Sequence, residues 1–237
     1  GKTTTIYSTL QYLHTPQINI TTIEDPIEMV REEFNQIAVH PRVGLTFATA
    51  LRNILRQDPD VIMVGEIRDR ETADNAIQAA LTGHLVLSTL HTNDASTSIT
   101  RLLDLGVLPF LVSSVTVGVV AQRLVRMICG NCRVESLLTR DQVLALDIQG
   151  AEGRNLKVYS GAGCARCRGT GYVGRTGVFE VMPINHKIRQ LIIDKAGADE
   201  IKREALSEGM VTLRDYAIKK MAMGLTTYEE VLRVTTD

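Results

Sequence analysis

Val61-Ile62-Met63-Val64-Gly65-Glu66 is a short apolar run closed by a glycine and a carboxylate, and its reading as a strand decides the fold. Two similar runs lie on either side. Ile18 to Ile23 ends in Glu24-Asp25-Pro26, and Leu85 to Leu87 leads into Ser88-Thr89-Leu90-His91. Helical periodicity fills the gaps. Over Thr46 to Gln57, Phe47, Ala50, Leu51, Ile54 and Leu55 recur at helical spacing, while Arg52 and Arg56 share the opposite polar stripe. Glu71 to Thr82 repeats the pattern through Ala73, Ala76, Ile77, Ala80 and Leu81. Strands separated by helices predict an α/β fold with a mainly parallel sheet, in which ligands sit at the carboxyl ends of the strands. The acidic and histidine clusters are expected along that edge.

Chemistry follows from the residue types found there. In nucleotide hydrolysis one carboxylate holds hydrated Mg²⁺ and another orients or deprotonates water. Glu66 stands where the second acidic strand of a P-loop ATPase would end, and Glu24 or Asp25 is the companion acid. His84 and His91 flank the third strand, where an imidazole could contact a γ-phosphate; their separation does not suit a metal pair. The chain itself opens Gly1-Lys2-Thr3-Thr4-Thr5 and continues helically through Ile6, Leu10 and Leu13. Gly-Lys-Thr is the tail of the phosphate-binding loop, in which backbone N–H groups surround phosphates, Lys2 reaches the β/γ oxygens and the Thr3 hydroxyl binds Mg²⁺. A threonine-rich helix cap is the competing reading.

Composition bounds the rest. The 237 residues carry 26 Lys+Arg against 27 Asp+Glu, with 44% hydrophobic and 4% aromatic residues, the profile of a soluble globular protein with room for two compact units. A net charge of −1 with interspersed signs provides no basic face, so direct nucleic-acid binding is not expected. The uncharged run Leu105 to Gln122 contains Gly106, Pro109 and Gly118, and is read as a buried core helix rather than a membrane span. No export leader is visible, and the four cysteines fall in two tight pairs, which together suggest a reducing cytoplasm.

Three ordered blocks then become specific. Ile23-Glu24-Asp25-Pro26-Ile27-Glu28, Leu55-Arg56-Gln57-Asp58-Pro59-Asp60 running to Gly65-Glu66-Ile67-Arg68-Asp69, and Thr82-Gly83-His84 through His91-Thr92-Asn93 closely resemble the aspartate box, Walker B and histidine box of the secretion ATPases. That family drives type II secretion and type IV pilus assembly, and the resemblance covers nearly the whole chain. It implies a RecA-like P-loop ATPase core and a hexamer at the cytoplasmic face of the bacterial inner membrane, with a membrane platform protein as partner. Carried over, Lys2 and Thr3 would bind phosphate and Mg²⁺, with Gly1 and Thr4 beside them. Glu66 would be the Walker B glutamate and Glu24 the acid near the attacking water, with Asp25, His84 and His91 close to the nucleotide. Arg52, Arg56 and Arg68 match positions that lie toward nucleotide or subunit interface in related enzymes. The family's glycine-rich segment and an arginine-supplying domain precede the position of Gly1, so the chain is expected to be the C-terminal part of a longer enzyme, impaired in ATP binding by itself. A non-catalytic, zinc-stabilised docking and oligomerisation module is the alternative; a DNA-uptake or conjugation ATPase of the same superfamily is another.

Cys129-Gly130-Asn131-Cys132 and Cys164-Ala165-Arg166-Cys167 are two CxxC pairs with 31 residues between them. Such knuckles can hold Zn²⁺ tetrahedrally in a closed structural site, although the gap exceeds the common spacing of about 15–20 and requires a small subdomain within it. A redox dithiol is the rival reading. Cys164 to Gly171 also has the form of the zinc repeat of DnaJ-type chaperones, but that repeat normally recurs. Because retraction ATPases generally lack these cysteines, the resemblance favours assembly. The organisation expected is a core over 1–128, a tetracysteine subdomain over 129–177, and C-terminal helices from 178 to 237. Those helices are placed at 184–194, 199–207, 213–223 and 227–234, the last capped by Thr226 or Thr227.

Overall fold

The computed structural model describes residues 1–147 and 156–235, which divide into two compact units. Gly1–Val119 with Met182–Glu208 forms the first, and Val120–Val181 with Gly209–Asp237 the second. The chain runs through α1 (Lys2–Leu13), β1 (Ile20–Glu24), β2 (Asn35–Ala38), α2 (Phe47–Ile54), β3 (Val61–Val64), α3 (Arg70–Leu81), β4 (Leu85–Ser88), α4 (Ala95–Asp104) and α5 (Pro109–Val115). It continues as β5 (Gly118–Ile128), β6 (Arg133–Leu137), α6 (Arg140–Ala145), β7 (Lys157–Gly161) and β8 (Tyr172–Pro183). Helices α7 (His186–Ile193) and α8 (Ala198–Ser207) return to the first unit, and α9 (Leu213–Ala222) and α10 (Tyr228–Thr235) belong to the second.

The first unit is an α/β layer structure around a parallel sheet of order β2-β1-β3-β4. Strands β1 and β3 are buried at every residue, as a sheet with both faces covered requires. Their side chains alternate between the two faces. Ile62 and Val64 pack with Ala50, Leu51 and Ile54 of α2 and Ala76 and Ala79 of α3. Val61 and Met63 pack with Tyr7 and Leu10 of α1. In β1, Ile23 joins the α2/α3 face and Ile20 the α1 face. By the same parity Thr22 and Glu24 project toward α1, which is what brings a carboxylate beside the start of that helix. Both sheet-covering helices begin at firm caps: Thr46 and Thr49 form a reciprocal capping box at α2, and the Asp69 side chain accepts the Thr72 N–H at α3.

Leu105 to Gln122 is not one core helix. Gly106, at φ +90°, ends α4 in the left-handed region; Pro109 opens the short α5 at its first turn; and the chain leaves through Thr116 and Val117 into β5. Phe110 and Val117 are exposed. No helix among the described residues is long and apolar enough to cross a membrane. Helix α7 packs on α5 and α8 on α4, whereas α9 and α10 pack on each other. This partition differs from three consecutive domains, because the C-terminal helices are shared between the two units.

The second unit has its own core, with Val125, Val143, Leu146, Val158, Val178, Leu213, Met221 and Val231 at its centre. At its edge the fully buried Glu230 carboxylate accepts the Arg126 backbone N–H at 2.7 Å, Arg126 Nε at 2.9 Å and Arg233 Nη2 at 2.7 Å. Burial raises the Glu230 carboxyl, but the two guanidinium groups and the backbone donor outweigh it and bring it down to about 2. A carboxyl held low in the folded state stabilises it above its ordinary titration range, and that contribution is lost as pH falls through about 4 toward 2. We expect Glu230→Ala to cost about 2–3 kcal/mol near neutrality, discounted for half-exposed arginines. Denaturant melts should show the wild type losing more stability than the variant between pH 5 and pH 2.5; equal losses would contradict this role.

Candidate functional site

The carboxyl ends of β1, β3 and β4 and the first turn of α1 enclose a cavity of about 220 Å³, lined by Lys2, Thr3, Glu24, Asp25, Glu28, Phe47, Glu66, Thr89 and His91 among others. Backbone contacts set its floor. The Gly65 N–H donates to Ile23 O at 2.8 Å, and a Cβ at Gly65 would meet that same oxygen at 3.2 Å and the Phe47 ring at 3.5 Å, so a side chain here would crowd the turn after β3. Thr89 Oγ1 donates to Gly65 O at 2.7 Å, and Ile67 N–H to Thr89 O at 3.0 Å. These bonds tie the ends of β3 and β4 together. Glu66 and His91 meet as a consequence, with His91 Nε2 at 3.1 Å from Glu66 Oε2.

Glu66 Oε1 pairs with Arg68 at 2.5 Å, and this hydrogen bond, reinforced by charge attraction, raises the Arg68 guanidinium above its usual value. Both Glu66 oxygens are therefore engaged, although Arg68 itself is largely exposed. Lys2 Nζ donates to Leu90 O at 3.2 Å, next to His91. Glu24 is nearly buried, and its Oε1 accepts Tyr7 OH at 2.6 Å, Thr22 Oγ1 at 2.7 Å and Gln36 Nε2 at 3.2 Å. Burial, then the hydrogen bond and charge of Glu24, push the Tyr7 phenol well above its usual range. The cavity thus presents carboxylate and hydroxyl oxygens, a donor set that fits a hard cation such as Mg²⁺, with Thr3, Glu24 and Glu66 among its lining residues.

Not every residue expected at this edge is there. His84 stands at the opposite, amino end of β4, where its Nδ1 lies 2.9 Å from Ala79 O and 3.0 Å from Thr82 Oγ1 at the end of α3. Four strand residues at about 3.3 Å each separate it from the carboxyl edge. Arg52 bridges to Glu71 of α3 at 2.7 Å, both side chains exposed, and Arg56 lies exposed just beyond α2. Neither lines the cavity, nor do Gly1 and Thr4; Gly1 caps α1. Tyr7, Gln36, Thr89 and Phe47 were not singled out by motif. No linear pattern marks Tyr7 and Gln36: Tyr7 is placed by the packing of α1, where it is buried with Leu10, and Gln36 by its register with Thr22, two residues before Glu24.

In the second unit the four cysteine sulfurs lie within 4.8 Å of one another. Cys129 and Cys164 are 3.9 Å apart, Cys132 and Cys167 3.8 Å, and Cys164 and Cys167 3.7 Å. Four sulfurs at about 2.3 Å from a tetrahedral centre would be about 3.8 Å from each other, so the cluster fits Zn²⁺. Gly171 is the backbone clasp of the two knuckles: its O accepts the Cys129 N–H at 2.9 Å, and its N–H donates to Cys167 Sγ at 3.3 Å. The Asn131 amide, 3.4 Å from Cys164 Sγ, is the leading reason that thiol is lowered to about 6, whereas burial pushes Cys132 up to about 12. The segment 148–155 between the pairs lies outside the described residues.

A parallel sheet with Gly-Lys-Thr at the start of its first helix, and acids at the carboxyl ends of its central strands, is the architecture of a P-loop ATPase core. The chain belongs to the type II/IV secretion system protein family, whose profile matches residues 1–233. It is 51% identical to the type IV pilus assembly ATPase TfpB of Acinetobacter baylyi, over 99% of this chain and 40% of that protein. It is 46% identical to the type II secretion system ATPase E of Vibrio cholerae, over 100% of this chain and 46% of that protein. The chain therefore spans less than half the length of these two relatives. Among solved structures, the pilus retraction motor PilT with bound ADP superposes with a TM-score of 0.70 at 31% identity, over 100% of this chain and 58% of that one. The DotB ATPase of Legionella pneumophila, at 23% identity and a TM-score of 0.69, shares the fold.

The knuckle packing generates a prediction. A Cβ at Gly161 would collide with the backbone of Gly171. Gly161→Ala should therefore open the cluster, and thiol titration without denaturant should find the four cysteines reacting at least about 10-fold faster than in the wild type, whose Cys129 and Cys167 are buried. Unchanged reactivity would show that the backbone approach is dispensable.

Proposed function

We infer that this chain is the catalytic part of an ATP-hydrolysing motor subunit that powers assembly of a type II secretion pseudopilus or a type IV pilus. The observation that carries this reading is the convergence of Lys2, Thr3, Glu24 and Glu66 on one cavity at the carboxyl edge of the sheet. Relatives named as assembly and secretion ATPases support the same reading. The cysteine cluster favours assembly over retraction.

In this reading Lys2 exchanges Leu90 O for β/γ-phosphate oxygens, and the Thr3 hydroxyl would hold Mg²⁺, which when bound would neutralise phosphate charge. Glu66 leaves its pairing with Arg68 and His91 and accepts a proton from, or aligns, the attacking water. Glu24, fixed from behind by three donors, holds that water from the other side. Arg68 moves to the nucleotide or to a neighbouring subunit. Arg52 and Arg56, exposed on and just after α2, suit an intersubunit role better than a place in the cavity. The subunits form a hexamer at the cytoplasmic face of the inner membrane, with a membrane platform protein as the direct partner.

Zn²⁺ in this reading is held by Cys129, Cys132, Cys164 and Cys167 and is structural, because four thiolates leave no open position. Three measurements check the assignments. In the full-length protein Glu66→Gln should leave nucleotide binding nearly intact and lower turnover by about 10²–10⁴; wild-type turnover would remove Glu66 from the chemistry. Metal analysis should find one zinc per chain, and serine substitution of the cysteines should impair secretion or piliation more than ATP hydrolysis. Well under one zinc per chain would defeat the site, and equal loss of both activities would defeat the division of labour.

A further inference from the structure

Glu24 is held in an unusual way for an acid at the rim of a polar cavity. It is 4% exposed, and every hydrogen bond that fixes Oε1 comes from a neutral donor, two of them on other elements of the fold. Tyr7 stands on α1, five residues after Lys2, and is itself buried. Its phenol has one proton to give. Because Gln36 Nε2 donates to Tyr7 OH at 2.7 Å, the phenol accepts there and donates to Glu24 Oε1 at 2.6 Å. The direction of the chain is thereby set from Gln36 through Tyr7 to Glu24.

Gln36 is in turn pinned at both ends of its amide. Its Oε1 accepts the Arg31 N–H at 2.6 Å, and its Nε2 donates to Met29 O at 3.0 Å, so a flipped amide would place like against like at both contacts. Met29 and Arg31 lie one and three residues after Glu28, which lines the cavity. Gln36 lies on the edge strand β2, whose register with β1 sets it beside Thr22. One relay, buried at Tyr7 and Glu24 and half-buried at Gln36, therefore joins the first helix, the end of β1, the edge strand and the segment after Glu28.

We propose that Tyr7 and Gln36 are positioning residues for ATP hydrolysis, a Gln36–Tyr7 relay that occupies Oε1 of Glu24 and aims its second carboxylate oxygen at the attacking water. This rests on the reading of the cavity as the ATPase site. The relay couples that aim to the segment 29–31, so a shift of this segment turns the Glu24 carboxylate without moving Lys2. A displaced carboxylate lowers the chemical step while leaving phosphate binding to Lys2 and Thr3 in place.

Tyr7→Phe in the full-length protein keeps the ring and its packing near Phe34, with centroids 6.1 Å apart in the native structure, and deletes only the hydroxyl. Turnover per nucleotide-bound site should fall roughly 10- to 100-fold while KM for MgATP stays within about 2-fold. Gln36→Met, which removes the donors from the other end of the relay, should lower turnover in the same way by a smaller factor. It decides the matter if Tyr7→Phe does not fold. Wild-type turnover per site in either folded variant overturns the proposal, as does a loss confined to the folded fraction with normal turnover in what remains, since that is purely structural. Glu24→Gln separates the two levels. If it hydrolyses ATP normally, the reading of Glu24 fails; if it is inactive while Tyr7→Phe is normal, the relay alone fails.

Discussion

The burial of β1 and β3 on both faces is the constraint from which the first unit follows. A parallel strand with helices above and below can keep no charge along its length, so every charged or reactive group is displaced to its ends. Glu24 is the last residue of β1, and Glu66 comes two residues after β3. Alternation then decides which face each side chain meets. The residues that pack toward α1 are Ile20, Val61 and Met63, and Glu24 extends the same row beyond them to the helix that begins with Lys2 and Thr3. Cation and carboxylates share a cavity because strand parity and helix placement agree, and Gly65 lets the chain turn there without crowding Ile23 O.

The second unit solves a different problem. Its antiparallel β6–β7 pair is exposed along all of β6 and would be marginal alone. It is fastened at several points. Cys132 O accepts the Ala162 N–H at 2.8 Å, the Arg133 guanidinium lies over the Tyr159 ring at 3.6 Å, and both side chains crowd Gly224 at the end of α9. Arg126, three residues before Cys129, reaches both Glu230 of α10 and the face of Tyr172, whose hydroxyl lies 2.9 Å from Thr227. The cysteine knuckles are thus continuous with the C-terminal helix through charged and aromatic contacts. A metal at the four sulfurs would stiffen a region that already has a packed core, which suits a structural rather than a catalytic ion.

Much of this was legible in the sequence. Short apolar runs and helical stripes of alanine and leucine located three of the four strands of the sheet and its covering helices to within a few residues, because those patterns are imposed by burial itself; the edge strand β2, which is only partly buried, left no such run. The CxxC pairs located the sulfur cluster, because ligand spacing is local. What escaped depends on distant partners. His84 and His91 look alike as flanks of one strand, yet a parallel strand sends its two ends to opposite edges, and only His91 reaches Glu66. Leu105 to Gln122 resembled one helix because it lacks charge, whereas Gly106 and Pro109 break it and Val117 to Val120 enter a strand. Tyr7 and Gln36 carry no motif; their importance comes from the register of β1 with β2 and the packing of α1, neither of which a linear pattern reports. The family resemblance sets Arg68 toward nucleotide or subunit interface, but its pairing with Glu66 Oε1 is visible only in the structure.

The central claim is that the carboxyl edge of this sheet is where ATP binds, with Lys2 as its phosphate ligand. Calorimetric titration of MgATP into the full-length protein and into Lys2→Ala tests it most directly, because Lys2 is exposed at the first turn of α1 and its removal leaves the buried core untouched. The account predicts that the substitution weakens MgATP binding by on the order of 10²-fold, about 2.7 kcal/mol, with an unchanged thermal melt in the absence of nucleotide. Equal affinity in the two proteins would contradict it, and would place the nucleotide somewhere other than the edge defined by Lys2, Glu24 and Glu66.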